Sequence, residues 1–334
     1  MNKMLRRYVT MLVIVIVGLS SIQTLAAKGA GEVMAQRDSY TVKMAVMQGP
    51  SGFSSIALTR NEGKISNNVS VEMNVYPSPN EVIARLANKE IDVAALPTNV
   101  AANLYNKGVP VKLAATVGEG MLKIVGTDRS IREIQDLAGK TIHIPGSGST
   151  PDQMVRLIGT ALGYDVQTDM ILDYSVAAPA QLTQLLIAGK VATAILPEPF
   201  VTMALSSNKQ VEVLLDVQYA WNMLTGIENY PMTVLVVSES FAEQHPEALQ
   251  VFLGALKDSV AWVIENPVEA GAMIEQAGIM KAAMAVPAIP NCNLVFRTVA
   301  EGRQALQDYL TNLYWFDSQS IGGAVPDDSF YLGN

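Results

Sequence analysis

The stretch Tyr40–Met47, YTVKMAVM, alternates apolar and polar positions and predicts a first β-strand. A loop at Gln48–Gly52 follows, then a helix over Phe53–Arg60, and a second strand over Val69–Tyr76. Pro77–Asn80 forms the next loop, and Asn80 caps a helix running from Glu81 to Asn88. Ile91–Leu96 is short, apolar and bounded by turn residues, which predicts a buried strand. Pro97-Thr98-Asn99 leads from it into a helix that ends at Asn106. Strand–helix alternation of this kind builds a parallel sheet covered by helices, and ligands collect beyond the carboxyl ends of its strands. Every loop named here lies at such an end.

The most informative stretch is Asp136–Tyr164, which reads as strand, glycine-serine loop and helix. Lys140–Pro145 alternates as a short strand with Ile142 and Ile144 on one face. Gly146-Ser147-Gly148-Ser149 cannot continue it, and its glycines permit positive φ and close approach of another molecule. Thr150 is the expected N-cap, Pro151 suits the first helical turn, and Met154, Leu157, Ile158, Ala161 and Leu162 follow at helical spacing. The loop thereby presents N–H groups at the positive end of a helix, a site for a polar ligand group. The alternative is an ordinary strand-to-helix turn. No Gly-Lys-Ser/Thr follows the glycines, which excludes a phosphate P-loop.

An internal repeat supports two similar halves. Leu86–Val100, LANKEIDVAALPTNV, matches Leu186–Phe200, LIAGKVATAILPEPF, at an offset of one hundred residues without a gap. Met121–Asp128 and Pro231–Ser238 are candidate strands crossing between lobes. The expected organisation is a first lobe from 40–122 and 238–334 and a second from 123–237 that includes the hinge strands. Beyond Ser240 the pattern is helical, with a break at Asn266-Pro267 and further helices over Val268–Gly278 and Val299–Leu313.

Composition narrows the chemistry. The chain has 334 residues, 49% hydrophobic and only 16% charged, enough apolar material for two cores. A lone cysteine, Cys292, excludes an internal disulfide, and His143 and His245 are the only histidines, which disfavours a metal centre. Lys3, Arg6 and Arg7 precede the apolar run Val9–Leu19, and Thr24-Leu25-Ala26 supplies small residues after it. This predicts a signal peptide over 1–26, with a flexible leader at 27–39, and no lipoprotein cysteine stands at the cut. Loss of those three cations takes the formal charge from −8 to about −11, which argues against nucleic acid as a partner.

The ordered set Lys89–Ala94, Asp136–Lys140, Gly146–Asp152, Glu198-Pro199-Phe200, Phe241–Glu247 and Gly322 through Tyr331 resembles the periplasmic substrate-binding proteins of ABC importers. The group in question contains nitrate, taurine and alkanesulfonate binders and the aminopyrimidine binders of thiamin salvage. Each motif is degenerate, and their order along nearly the whole mature chain is specific. The resemblance implies an α/β, two-lobed periplasmic-binding-protein type II fold with two hinge crossings. It further implies closure on one small molecule, delivery to an ABC permease with its ATPase, a monomer in the periplasm or outside the cell, no cofactor and no catalysis. One departure is Ala192, where the first repeat has Asp92 and the group often has aspartate, at a strand start away from the cleft.

The candidate ligand-binding residues are Ser51, Gly52, Tyr76, Thr98, Asn99, Glu119, Gly146, Ser147, Gly148, Ser149, Thr150, Glu198 and Trp221. Glu198 and Glu119 would accept ligand N–H groups, and Trp221 or Tyr76 would stack on a planar ring. Thr98 and Asn99 have helix capping as their alternative role, and the methionines read as core filler. The candidate loops contain no Lys or Arg, while Glu119, Glu198 and Asp152 oppose an anion. An aminopyrimidine-like heterocycle is therefore expected over a sulfonate, taurine or nitrate. The competing classes are an enzyme of pyrimidine or menaquinone biosynthesis on the same fold, and a sensory domain. Neither a Cys–His nor a Ser–His–Asp arrangement stands in the sequence to support catalysis.

Overall fold

The computed structural model describes residues 39–77, 79–166 and 168–333, so the expected signal peptide and leader lie outside the described residues except for Ser39. The first alternating stretch forms β1 (Tyr40–Met47), followed by α1 (Pro50–Ser55) and a 3-10 segment over Ile56–Gly63. The helix expected at Phe53–Arg60 is thus divided between the end of α1 and this 3-10 segment, and the chain turns toward the next strand at Asn61 and Glu62, which take positive φ. Next come β2 (Val69–Tyr76), α2 (Pro79–Ala87), β3 (Val93–Pro97), α3 (Thr98–Asn106) and β4 (Val111–Glu119). The chain then enters a second sheet through β5 (Leu122–Gly126) and β6 (Thr141–His143). That half continues with α4 (Thr150–Ala161), β7 (Ile171–Asp173), α5 (Pro179–Ile187), β8 (Thr193–Pro197), α6 (Phe200–Ser207), β9 (Glu212–Asp216) and α7 (Val217–Thr225). β10 (Pro231–Ser238) returns to the first sheet, followed by α8 (Glu239–Gln244), α9 (Pro246–Glu265), α10 (Pro267–Gln276), α11 (Ala282–Ala288), β11 (Leu294–Thr298) and α12 (Val299–Asp317).

The six-stranded sheet has the order β11-β4-β10-β3-β1-β2, and the five-stranded sheet the order β7-β6-β8-β5-β9. Both are mixed, each with parallel strands and one antiparallel strand supplied across the hinge, and the six-stranded sheet carries β11 as a further antiparallel strand at its β4 edge. β10 lies antiparallel between β3 and β4 with Leu96 opposite Val234, and β5 lies antiparallel beside β8 with Leu196 opposite Lys123. This corrects the expected lobe boundary. Pro231–Ser238 is hydrogen bonded on both sides within the first sheet, so the second half ends before it. Two passes of chain join the halves, one at Gly120-Met121 and one at 226–230.

The sequence repeat is a structural repeat. Lys89 and Gly189 both take left-handed φ, 59° and 68°, in the turn that ends the helix before each buried strand. Their N–H groups donate to Leu86 and Leu186 carbonyls alike. Asp92 holds β1 by accepting from the Tyr40 hydroxyl at 3.1 Å and the Lys43 N–H at 2.9 Å, and desolvation together with Asp92 pushes the Tyr40 phenol up to about 12. These are structural bonds, so the departure at Ala192 removes a staple and no cleft group.

One apolar cluster runs through both sheets, joining Leu96 and Val234 to Leu122, Ile142 and Ile195 and to the face of α12 that carries Leu306, Tyr309 and Leu313. α12 starts firmly because Thr298 and Glu301 form a reciprocal capping box. Among the described residues, no helix is long and apolar enough to cross a membrane.

Candidate functional site

A cavity of about 480 Å³ opens where the carboxyl ends of β1, β3 and β8 meet the starts of α1, α4 and α5. The volume suits a small organic molecule. Its wall is largely apolar, with Met47, Met121, Met232, Val100 and Phe200 among the lining side chains. Eight prolines also line it, and the polar groups are Gln48, Ser51, Ser149, Thr150, Glu198 and Thr233. No Lys or Arg is among the described lining residues.

Ser51 reaches this cavity while its hydroxyl caps the end of β1, accepting from Met47 N–H at 3.0 Å. Gly52 is not in the wall. Its place is set by packing, since a Cβ there would stand 3.0 Å from the Ile279 side chain and 3.1 Å from the Met47 carbonyl. Thr98 is buried and donates to the Pro231 carbonyl at 2.6 Å, tying α3 to the returning strand. Asn99 is also buried, and its Oδ1 accepts from the Thr150 hydroxyl at 3.2 Å, a direct bond between the two halves. Tyr76 stands outside the wall, with the Arg85 guanidinium 4.9 Å above its ring.

The glycine-serine loop divides. Ser149, not Thr150, is the N-cap of α4: its hydroxyl accepts from Asp152 N–H and donates to the Gly146 carbonyl at 2.7 Å. Ser149 and Thr150 face the central cavity, whereas Ser147 and Gly148 line a separate groove of about 300 Å³ with Arg156 and Phe316. The Gly148 N–H is already taken by Asp152 Oδ2 at 2.7 Å. Gly146 and Gly148 serve the turn itself, with φ of 83° and 74°. Gly148→Val is therefore expected to lower stability by about 1–2 kcal/mol through left-handed backbone strain, while solute affinity stays close to wild type. Denaturant midpoints and calorimetric titration check the two halves of this expectation.

The acids expected to repel an anion are mostly compensated. Glu119 accepts from Arg297 Nε at 2.6 Å, and the partner comes from β11, 178 residues away in sequence. Asp152 accepts from Arg156 Nε and from the Tyr174 hydroxyl, each at 2.7 Å. Burial, then Asp152, pushes that phenol up to about 12. Glu198 differs, being a carboxylate in the cavity wall with only 3% exposure. Its Oε2 accepts from Thr202 N–H at 3.1 Å. Burial pushes its carboxyl above the ordinary value, opposed by the Thr202 bonds and by Lys123, which itself pairs with Asp216.

Trp221 does not face the cavity. It lies in α7, fully buried, edge-on to Tyr230 and Tyr309 at centroid distances of 5.6 and 5.7 Å. The aromatic group that does line the wall is Phe200, next to Glu198-Pro199 in the second repeat, and Met121 lines it rather than merely filling the core. The position of Phe200 could have been read from the repeat, because Val100 is its counterpart and lines the other half.

The family model described as NMT1/THI5 like matches residues 66–270. No curated protein matches the chain. Among solved structures, an ABC transporter protein from Parabacteroides distasonis is 27% identical, with 87% of this chain and 98% of that one covered and a TM-score of 0.74. The periplasmic aliphatic sulphonate binding protein SsuA from Escherichia coli is 14% identical over 86% of this chain and 90% of its own, with a TM-score of 0.69. The alkanesulfonate-binding protein SsuA from Xanthomonas axonopodis pv. citri, bound to MOPS, is 15% identical over 87% and 96%, with a TM-score of 0.66.

Proposed function

The chain belongs to the NMT1/THI5-like family, and on that premise we propose that it is the solute-binding component of an ABC import system, acting outside the cytoplasm and handing its solute to a permease with its ATPase. The solute we assign is a small neutral heterocycle bearing N–H donors, of aminopyrimidine type. The observation that carries the assignment is the wall of the cavity: one buried carboxylate, Glu198, and no cation among the described lining residues. Prolines add to it. Pro50, Pro79, Pro151 and Pro179 stand in the first turns of helices that open on the cavity. A proline has no N–H, so each of these helix ends offers an anion one donor fewer. With Glu119 and Asp152 compensated by arginines, the case against an anion rests on Glu198 and on these missing donors.

Phe200 and the methionines supply an apolar slot for a ring, and Glu198 supplies an acceptor at its edge. The solute is bound and released unchanged in this reading. Neither a histidine nor the cysteine lines the cavity among the described residues, and burial together with Glu198 pushes the Cys292 thiol well up, away from a reactive thiolate. Calorimetric titration with a hydroxymethyl aminopyrimidine, taurine and nitrate tests the assignment. Saturable binding of the pyrimidine alone is expected. Micromolar binding of either anion with none of the pyrimidine would overturn the choice of solute, and a solute recovered chemically altered would overturn the transport reading.

A further inference from the structure

The groove of about 300 Å³ beside the glycine-serine loop shares no lining residue with the central cavity. Its wall joins Ser147, Gly148 and the first turns of α4, from the second half, to the end of α12, from the first. A helix start ordinarily makes such a recess a place for an anion. Here the donors are already taken. Gly148 N–H donates to Asp152 Oδ2 at 2.7 Å, Asp152 N–H to the Ser149 hydroxyl and Gln153 N–H to the Ser149 carbonyl at 2.9 Å. Pro151, between them, has no N–H. Arg156 is engaged as well, its Nε donating to Asp152 Oδ1 at 2.7 Å and its Nη2 to the Tyr174 hydroxyl at 2.6 Å. The charges of Asp152 and Arg156 therefore offset each other within the wall.

What the groove leaves unmet is acceptors. Gln153 is 4% exposed, and its Nε2 donates to Asp317 Oδ2 at 3.3 Å. That bond fixes the amide, because the reverse orientation would set oxygen against oxygen. The Gln153 Oε1 then has no hydrogen-bond partner, and a buried acceptor in that state is destabilising until a donor reaches it. Asp317 accepts from Gln153 and, through Oδ1, from the Gln319 N–H at 3.1 Å, both neutral donors. Oε1 and the Asp317 carboxylate flank the same amide nitrogen, so one group carrying several N–H donors serves both. A positive charge on that group answers the carboxylate, and Phe316 adds an aromatic stretch of wall that suits an ammonium and its alkyl chain. We propose that this groove is a second binding site and that it takes a small primary ammonium compound, with its nitrogen between Gln153 Oε1 and the Asp317 carboxylate and its chain along Phe316. The site goes beyond the solute-binding reading and does not depend on what the central cavity holds.

Calorimetric titration of the mature protein with butylammonium, butyrate and butanol is the experiment. The three probes share a chain and differ in charge. Saturable binding of butylammonium alone is expected in wild type. Gln153→Met removes the acceptor and keeps the length of the side chain, and Asp317→Asn removes the charge and still offers Gln153 Nε2 an oxygen. Each is expected to weaken butylammonium by about tenfold or more, the effect of losing a hydrogen bond to a charged group. Should Gln153→Met fail to fold, as circular dichroism would show, Asp317→Asn carries the same test. Glu198→Gln alters the central cavity only and is expected to bind the amine as wild type does. No saturation by millimolar butylammonium would overturn the site, as would unchanged affinity in a folded Gln153→Met or Asp317→Asn. Loss of the amine in Glu198→Gln would overturn it by placing the ligand in the central cavity. Binding of butyrate in place of butylammonium would show instead that the start of α4 takes an anion. The aminopyrimidine titration with wild type is read separately, so failure of the solute assignment leaves these outcomes unchanged.

Discussion

Trp221→Ala is expected to lower the stability of the protein by about 3–5 kcal/mol, the cost of emptying a large buried aromatic site. Trp221 is fully buried, and its ring meets Tyr230 from the hinge segment and Tyr309 from α12, which stack on one another at 5.5 Å. The cavity would open where side chains of both halves and the second crossing pack together. Trp221→Phe is expected to cost much less. It keeps most of the ring contact and deletes an indole N–H that has no hydrogen-bond partner. The midpoint of denaturant unfolding, followed by far-ultraviolet circular dichroism, is the readout, since two lobes need not melt in one step. A wild-type midpoint in Trp221→Ala combined with lost solute affinity would reinstate the stacking role expected from the sequence.

The second large effect is expected at Gly120, in the first crossing. A Cβ there would stand 1.8 Å from the Gln218 Oε1 and 2.4 and 2.8 Å from two carbons of the Tyr230 ring. The glutamine end can swing away. The ring cannot, because it is fully buried and held between Trp221 and Tyr309. Gly120→Ala therefore wedges the two crossings apart. Overpacking of this kind costs about 1–3 kcal/mol, and here the displacement falls on the segments that set how the halves meet. Scattering of the solute-saturated variant is expected to lack the compaction expected of wild type, and solute affinity is expected to fall by about tenfold for each 1.4 kcal/mol by which the closed form is lost. Adding Gln218→Ala should not rescue either property, since the Tyr230 contact remains. Wild-type compaction and affinity in Gly120→Ala would show that the crossings yield without consequence.

Which of the residues expected to bind solute line the cavity follows how local their signals are. Ser149 and Thr150 were legible because a serine or threonine between a glycine turn and Pro151 has few places to go. Ser51 and Glu198 were legible because they follow strands that the alternation and the repeat both mark. Glu119 and Asp152 look alike in sequence, acids beside glycines or at a helix start, yet each has a guanidinium partner, Arg297 for one and Arg156 for the other. A partner four residues on can be read from helical spacing, whereas one that arrives with β11 cannot. Gly148 shows the same limit from another side. Its need for positive φ is visible in the sequence, and the carboxylate that takes its N–H is decided by how the loop folds back on α4.

The sequence by itself determined the strand–helix alternation from Tyr40 to Asn106, the strand–loop–helix unit around Gly146–Ser149, the repeat with its one-hundred-residue offset and the family. Those features rest on side-chain period and turn chemistry, which act over a few residues and survive in any context that keeps them. Only the tertiary structure decided that β10 belongs to the first sheet, that Trp221 faces the hinge core, that Phe200 and Met121 face the cavity, and that Glu198 alone among the suspected acids lies buried there without a cation of its own. Each of these is a sum over contacts between segments far apart in the chain. A strand's pattern says which of its faces is buried, but the partner it is buried against is chosen by the closing of the whole molecule.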